Sequence, residues 1–149
     1  PIIAFAVISA YFFNNRVLAF FILALSLIIS DFIIGFYDGF VFNYIILFFL
    51  LFTSKILFKN LNFKSVTILS LYGSTTFFVI SNFMVWLNSG MYQHTLDGLL
   101  FCYTNAIPFY GNTLISTFFY SYLLLLFDVT IKKYEFISRF YRFLRKTNS

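Results

Sequence analysis

The sequence predicts an all-α protein, a polytopic bundle of transmembrane helices with five crossings. Of the 149 residues, 61% are hydrophobic and 10% are charged, and the mean hydropathy is +0.90. Soluble domains average about 25% charged residues, so the composition excludes a soluble globular protein. The 25 phenylalanines exclude intrinsic disorder, because disordered chains are poor in aromatic residues.

The apolar runs place the helices in order along the chain. The first four runs cover residues 1–14, 17–36, 40–58 and 65–87. A helical crossing needs about 20 mostly apolar residues, a length that the second, third and fourth runs reach. The first run is cut short at its front, and if a further helix precedes Pro1, the protein would have six spans with both ends on the same side.

The last apolar stretch, residues 98–127, contains no Asp, Glu, Lys or Arg. It is too long for one simple crossing and too short for two. Pro108 removes a backbone donor and Gly111 loosens the chain. We therefore expect a half-helix or re-entrant segment over 97–107, a break from Pro108 to Gly111 and a full span over 112–131. The alternative is one long kinked helix.

The basic residues predict how the bundle is oriented. Under this topology all ten fall on one side: Arg16, Lys55, Lys59, Lys64, Lys132, Lys133, Arg139, Arg142, Arg145 and Lys146. The opposite loops carry Asp38, His94 and Asp97 and no lysine or arginine. Because basic loops stay in the cytoplasm, we expect a multipass protein of the bacterial inner (cytoplasmic) membrane with a cytoplasmic C-terminus. The net charge of +5 then belongs to this rim and does not indicate nucleic-acid binding.

The chain divides into a transmembrane bundle, residues 1–131, and a cytoplasmic tail, residues 132–149. Apolar residues of the tail repeat at helical spacing: Phe136, Ile137, Phe140, Phe143 and Leu144. Basic residues repeat on another face of the same segment. This pattern predicts an amphipathic helix that lies on the lipid bilayer, and a specific partner site is the alternative.

Catalytic and cofactor signatures are missing from the sequence. The chain has one cysteine, Cys102, and one histidine, His94, which excludes an internal disulfide and argues against zinc and haem sites. It has no Ser-His-Asp set, Gly-rich phosphate loop or HExxH motif. We therefore expect no enzyme activity and no cofactor. Cys102 is expected to be a packing residue, with an axial metal or corrinoid ligand as the alternative.

Asp31 is the residue that costs most to place in a membrane. A carboxyl group at the middle of a bilayer costs roughly 2.5–3.5 kcal/mol, and less toward the interface. We therefore expect Asp31 to face the bundle or a cavity. Two interpretations stay open: a contact with a ligand or cation, or a packing acid that bonds to a hydroxyl or amide of a neighbouring span.

Polar and aromatic residues gather at the outer end of the fourth run and in the loop after it. Asn82 and Trp86 are one helical turn apart, and Tyr92 and His94 follow. Aromatic rings supply stacking area and amides fix orientation, so this group suits a neutral, flat organic ligand. The alternative is an aromatic belt with a polar outer loop.

Asn105 and Asn112 flank the predicted break. Freed backbone groups at broken helices often build binding sites in transporters, so we expect both amides to contact a ligand. Repair of the opened backbone is the alternative. In the first run, Ala6 and Ala10 form a small-xxx-small step, which permits either an internal helix seam or a docking face for another membrane subunit.

A family resemblance covers most of residues 1–127 and is most specific over 82–114. It is carried by Leu25-Ser26, Ser30-Asp31-Phe32, Gly35-Phe36, Ser81-Asn82-Phe83-Met84-Val85-Trp86-Leu87, Gly90-Met91-Tyr92, Gly98-Leu99-Leu100-Phe101-Cys102-Tyr103, Ala106-Ile107-Pro108-Phe109 and Asn112-Thr113-Leu114. With these stretches the chain resembles an uncharacterised family of bacterial multipass membrane proteins grouped with transport proteins. That family in turn resembles the substrate-binding S components of energy-coupling-factor vitamin transporters.

The resemblance implies six helices, both ends cytoplasmic, and capture of a vitamin-like nutrient from the outer face. It also implies a coupling transmembrane subunit with ATPases as a partner. The leading hypothesis is a small-molecule transporter or its substrate-binding subunit. The residues expected at the ligand are Asp31, Asn82, Trp86, Tyr92, His94, Asn105 and Asn112. The alternatives are a structural or accessory subunit of a larger membrane complex and, third, an enzyme acting on a lipid or corrinoid.

Overall fold

In the computed structural model, every regular element among the described residues is an α-helix. The structure describes residues 1–13, 16–36 and 39–147, apart from the side chains of Arg16 and of residues 135–147. The helices are α1 (Ile2–Phe12), α2 (Arg16–Ile34), α3 (Phe40–Leu57), α4 (Phe63–Asn88) and α5 (Leu96–Thr147). The predicted all-α class is therefore confirmed.

Four of these helices are long and apolar enough to cross a membrane: Val17–Ile34, Phe40–Leu57, Phe63–Asn88 and Leu96–Tyr134. The remaining helix, α1, is apolar but has 11 residues. At 1.5 Å per residue it is about 17 Å long, whereas the hydrocarbon core of a bilayer is about 30 Å thick. The described residues therefore contain four helices of crossing length, where the sequence predicts five crossings.

The centre of the bundle is α1. Its residues Ala4, Ala6, Val7, Ile8 and Ala10 have no exposed surface, and α1 packs against each of the other four described helices. A Cβ atom added at Gly73 of α4 would lie 2.8 Å from Cγ1 of Val7, so the two helices approach closely there. Ala6 and Ala10 thus belong to an internal seam, which is the first of the two alternatives for the small-xxx-small step.

The two ends of the bundle differ in charge. The ends of α1 and α3 and the start of α4 lie at one end, the basic end, which carries Lys55, Lys59 and Lys64. The opposite end, the loop end, is formed by residues 89–95 between α4 and α5 and contains no lysine or arginine. Asp38, which the sequence places with this loop, lies outside the described residues.

At the basic end, α1 and α3 stabilise each other's last turns. The Lys55 ammonium group donates to the Ala10 carbonyl oxygen at 3.0 Å. The Tyr11 hydroxyl lies 2.9 Å from the carbonyl oxygen of Ser54 and 2.8 Å from that of Phe58. Carbonyl groups in the last turn of a helix often have no partner within it, so these side chains add hydrogen bonds at both helix ends, beside the one that the Ser54 carbonyl oxygen accepts from the Phe58 backbone.

The long helix α5 is continuous from Leu96 to Thr147, with Pro108 inside it. The predicted half-helix over 97–107 and the predicted break from Pro108 to Gly111 are therefore corrected to one unbroken helix. The backbone of the tail continues this helix. The side chains that carry the amphipathic pattern of the tail lie outside the described residues.

Contacts with α4 on both sides of Pro108 explain why α5 does not break. The Tyr103 hydroxyl donates to the Val79 carbonyl oxygen at 2.6 Å, toward the loop end. The Tyr110 hydroxyl lies 2.8 Å from the Thr75 hydroxyl, toward the basic end. Proline removes one backbone hydrogen bond from a helix, and packing against a neighbouring helix compensates for that loss in an apolar environment.

Candidate functional site

Polar and aromatic side chains meet in a cavity between α4 and α5. The cavity has a volume of about 210 Å³ and is lined by Phe77, Phe78, Ser81, Asn82, Ala106, Phe109, Tyr110 and Thr113. These side chains include an amide, three hydroxyls and four rings, and none is formally charged. Such a lining can stack a ring and can also donate and accept hydrogen bonds.

A second cavity of about 350 Å³ adjoins the first. It is lined by Pro1, Ile2, Ile3, Phe77, Asn112, Thr113, Ser116 and Thr117. Because Phe77 and Thr113 line both cavities, the two lie side by side along the hairpin of α4 and α5. We name their combined lining the α4–α5 cleft.

The cleft depends on the unbroken course of α5. Ala106, Tyr110, Thr113 and Thr117 recur at steps of four, three and four residues, which is the spacing of one helix face. A break after Pro108 would have separated Ala106 from the others. With a break assumed at Pro108, these four residues do not share a helix face, and the sequence therefore did not predict the lining of the cleft.

Asn82 is the predicted site residue that lines the first cavity, toward the loop end of the cleft. Its amide nitrogen donates to the Phe78 carbonyl oxygen at 2.8 Å, one turn earlier in α4. Its amide oxygen has no hydrogen-bond partner among the described residues, so an acceptor is available to a ligand. The Cys102 thiol lies 3.5 Å from the Asn82 carbonyl oxygen and is 2% exposed. This is the position of a packing residue.

Trp86 and His94 lie next to the cleft but are engaged with the loop. The Trp86 indole nitrogen donates to the Gln93 carbonyl oxygen at 2.9 Å. The rings of Trp86 and His94 meet edge to face with centroids 5.4 Å apart. A Cβ atom added at Gly98 would overlap the Gln93 carbonyl oxygen, so the loop lies directly against the start of α5. Neither Trp86 nor His94 lines the two cavities.

The other predicted residues of the α4–α5 region are divided between the loop and α5. Tyr92 packs edge to face on Phe101 with centroids 6.0 Å apart. Asn112 lines the second cavity. Asn105 lies two turns before Asn112 on α5, is exposed and lines neither cavity. The structure thus brings Asn82 and Asn112 to one cleft and leaves Asn105 outside it.

Asp31 lies apart from the other predicted residues, in the contact between α2 and α3. It is 8% exposed, and its carboxyl group accepts a hydrogen bond from the Tyr44 hydroxyl at 2.5 Å. Among the described residues, α2 packs against α1 and α3 and not against α4 or α5. This arrangement is that of a packing acid bonded to a hydroxyl of a neighbouring span.

Sequence reasoning missed several residues that line the cleft: Ser81, Tyr110, Thr113, Ser116 and Thr117. Single hydroxyls in apolar helices are common, so each carries little information alone. The signal that could have identified them is their shared helix face on α5, together with the position of Ser81 beside Asn82. That signal appears only when the helix is continued through Pro108.

A further cavity, of about 280 Å³, lies between α1, α2 and α5. It is lined by Pro1, Ile2, Phe5, Ser26, Tyr120, Leu123 and Leu124. The Ser26 hydroxyl donates to the Leu23 carbonyl oxygen of its own helix at 2.8 Å, so it is already occupied. A gap with this apolar lining fits a hydrocarbon chain better than a polar solute. Among the described residues there is no group of three or more His, Cys, Asp or Glu that could hold a metal ion.

Comparison with known proteins gives a family and no function. The profile of a family of unknown function, DUF6580, matches residues 1–138. No curated protein and no solved structure matches the chain.

Proposed function

The chain belongs to DUF6580, a family of unknown function, and we propose that it binds and carries a small, uncharged, ring-bearing solute in a membrane. The observation that carries this proposal is the α4–α5 cleft, where an amide, hydroxyls and rings face one space. Most residues of this lining are partly buried, so a solute can reach them, and polar partners for the amide and hydroxyls are favourable where water is scarce.

The lining of the cleft defines the chemistry of the solute. Phe77, Phe78, Phe109 and Tyr110 offer ring faces and edges on which a flat solute can stack. The Asn82 amide oxygen is available to accept a hydrogen bond from the solute, and the hydroxyls of Ser81 and Thr113 lie in the same lining. No charged side chain is present to neutralise an ion, so a charged solute would lose its hydration without compensation. A vitamin-like nutrient with a neutral ring fits these properties.

The charge difference between the two ends supports an orientation. Basic loops stay in the cytoplasm, so we propose that the basic end faces inward and the loop end faces outward, in a bacterial inner membrane. The outer part of the cleft, at Ser81 and Asn82, then receives the solute from outside. The sequence has no nucleotide-hydrolysing motif, so energy for transport would come from a gradient or from a coupling subunit with ATPases.

Native mass spectrometry of the protein, released gently from its own membranes, tests the proposal. The expected result is a small-molecule adduct on the unaltered chain that is absent from Asn82→Ala. Asn88→Ala is the matched control, because the Asn88 amide nitrogen donates to the Met84 carbonyl oxygen at 3.0 Å on the same helix but lies outside the cleft. An adduct that persists in Asn82→Ala, or that is lost equally from both variants, would contradict the site.

An accessory subunit of a larger membrane complex is the second candidate, and the exposed position of the Asn105 side chain favours it. The Asn105 amide is exposed on α5 and has no hydrogen-bond partner among the described residues. An amide that faces lipid without a partner costs several kcal/mol, by order of magnitude, so a neighbouring subunit would satisfy it. Stoichiometric co-purification of other subunits without any small-molecule adduct would support this candidate over the first.

A further inference from the structure

Four serine hydroxyls are buried in the bundle without a hydrogen-bond partner among the described residues. They belong to Ser9, Ser70, Ser74 and Ser121, and each of these residues is at most 1% exposed. Threonines on the same helices differ, because Thr67, Thr113 and Thr117 each donate to the carbonyl oxygen four residues earlier. An unpaired buried hydroxyl costs roughly 1–3 kcal/mol. Alanine would avoid this cost, so the four serines point to a polar occupant.

Three of the serines lie in one segment of the hairpin formed by α4 and α5. Two hydrogen bonds between side-chain hydroxyls mark the limits of this segment: Thr75 with Tyr110 at 2.8 Å, and Thr67 with Tyr122 at 2.7 Å. Ser70 and Ser74 lie between the two threonines on α4. Ser121 lies between the two tyrosines on α5. All three therefore stand in the half of the hairpin nearer the basic end.

The fourth serine, Ser9, lies at the same depth on α1. This helix ends at the basic end, from which α4 starts, so the two helices run antiparallel. Gly73 of α4 lies against Ile3 and Val7 of α1. Ser9 comes two residues after Val7 and Ser70 three residues before Gly73, both toward the basic end. The three helices thus bring their unpaired hydroxyls to a common level.

The buried serines continue the α4–α5 cleft toward the basic end. Thr117 lines the second cavity, is 2% exposed and lies one helical turn from Ser121. Ile3 also lines that cavity and is one of the two residues packed on Gly73. At Thr117 the cleft therefore reaches into the segment of the hairpin that holds the buried serines.

We propose that Ser9, Ser70, Ser74 and Ser121 line the inward half of the solute path, whose outward half is the α4–α5 cleft. This proposal rests on the proposed function, since it extends the path of the same solute. In this structure the four hydroxyls are closed off, because each serine is at most 1% exposed and α1 packs on α4 where Ile3 and Val7 lie against Gly73. When α1 moves away from α4, water and then the solute meet the four hydroxyls, which supply the polar partners that a hydrated path requires.

Thiol accessibility tests the inward path without knowledge of the solute. Cysteine replaces serine with little change of size, so Ser70→Cys, Ser74→Cys and Ser121→Cys are made in a Cys102→Ser background. Sealed membrane vesicles are treated with 2-aminoethyl methanethiosulfonate, and the mass added to the protein is followed over time. This reagent reacts with the thiolate, which forms in water and not in hydrocarbon.

Two leucines on the same turn of α4 provide the controls. Leu69 has no exposed surface and Leu71 is 49% exposed on the outer, apolar surface of the helix. We expect the serine-derived thiols to react at least about tenfold faster than those of Leu69→Cys and Leu71→Cys. Equal rates at the serine and leucine positions would overturn the proposal, because the serines would then be no more hydrated than core or lipid-facing positions.

The two experiments test the outer cleft and the inward path separately. Loss of the small-molecule adduct in Asn82→Ala concerns the outer cleft, and thiol reactivity concerns the inner serines. A specific adduct together with unreactive serine positions would retain the site and overturn the inward path. Reactive serine positions without any adduct would retain a hydrated path and overturn its use by the proposed solute.

Discussion

Helix α2 and the hairpin of α4 and α5 are built from similarly apolar sequence but are held in the bundle in different ways. Among the described residues α2 packs against α1 and α3, and much of its surface is exposed apolar side chain, such as Phe32 and Ile33 at 80% and 77%. The hairpin is tied by hydroxyl contacts from Tyr103, Tyr110 and Tyr122 to the backbone or side chains of α4. Polar groups thus join helices in both regions, and the hairpin also borders the polar α4–α5 cleft.

The two regions differ in whether their polar groups find partners within the protein. In α2, the buried polar side chain of Asp31 meets the Tyr44 hydroxyl and is thereby satisfied within the protein. In the hairpin, the Asn82 amide oxygen and several buried hydroxyls have no protein partner among the described residues. A satisfied polar group stabilises the fold, whereas an unsatisfied one is available to a ligand.

Tyr44→Phe is the variant expected to lower the free energy of unfolding most, since it removes the hydroxyl that donates to the buried carboxyl group of Asp31. A buried acceptor left without its partner costs about 2 kcal/mol. We therefore expect the free energy of unfolding to fall by about that amount, measured by titration of the micellar protein with sodium dodecyl sulfate. Solute binding in the cleft should be unchanged in the protein that remains folded.

If Tyr44→Phe were no more destabilising than Tyr110→Phe in the hairpin, the polar contact of α2 would not be the more important one for stability. The comparison of α2 with the hairpin would also fail if Tyr44→Phe abolished the small-molecule adduct without loss of stability. The second result would assign Asp31 to the ligand, which is the interpretation that its position between α2 and α3 argues against.

The membrane helices were predictable from the sequence because long apolar runs end where polar residues begin. The runs 17–36, 40–58 and 65–87 correspond to Arg16–Ile34, Phe40–Leu57 and Phe63–Asn88, within two residues at each end. The start of α4 is set by Asn62, whose side chain accepts from the Ser65 backbone in a capping box. This local rule operates at a helix start independently of the rest of the fold.

The site was only partly predictable because its parts come together through packing. Asn82 and Asn112 were identified by their amides, and both line the cleft. The predicted break at Pro108 was wrong, since the propensity of proline was outweighed by contacts of Tyr103 and Tyr110 with α4. Trp86 was expected at the ligand, but its indole nitrogen is engaged with the Gln93 carbonyl oxygen. A sequence cannot show which partner a side chain finds across a hairpin.

Tyr110→Phe is expected to have a smaller effect on stability than Tyr44→Phe. The Tyr110 hydroxyl pairs with Thr75 at a partly exposed position, and other tyrosines also join α4 and α5. Loss of one such hydrogen bond costs about 1 kcal/mol, in the same titration with sodium dodecyl sulfate. Because Tyr110 also lines the cleft, the small-molecule adduct should weaken.

Tyr122→Phe is the matched control for Tyr110→Phe, because its hydroxyl pairs with Thr67 outside the cleft. We expect a similar loss of stability and an unchanged adduct. An equal weakening of the adduct in both variants would mean that the hairpin as a whole, and not the cleft lining, determines binding.

Phe32→Ala is expected to change stability least, because Phe32 lies on the exposed face of α2. The variant tests whether this face contacts another protein. Phe32 is 80% exposed, so its truncation opens no cavity, and the free energy of unfolding should change by less than about 0.5 kcal/mol. Leu23→Ala on the same helix is the control, since Leu23 has no exposed surface and its truncation leaves a cavity. The comparison is made by dodecyl sulfate titration in micelles and by thermal unfolding in native membranes. A loss in membranes that is absent in micelles would show that another protein covers this face of α2, which would contradict a free outer surface for this helix.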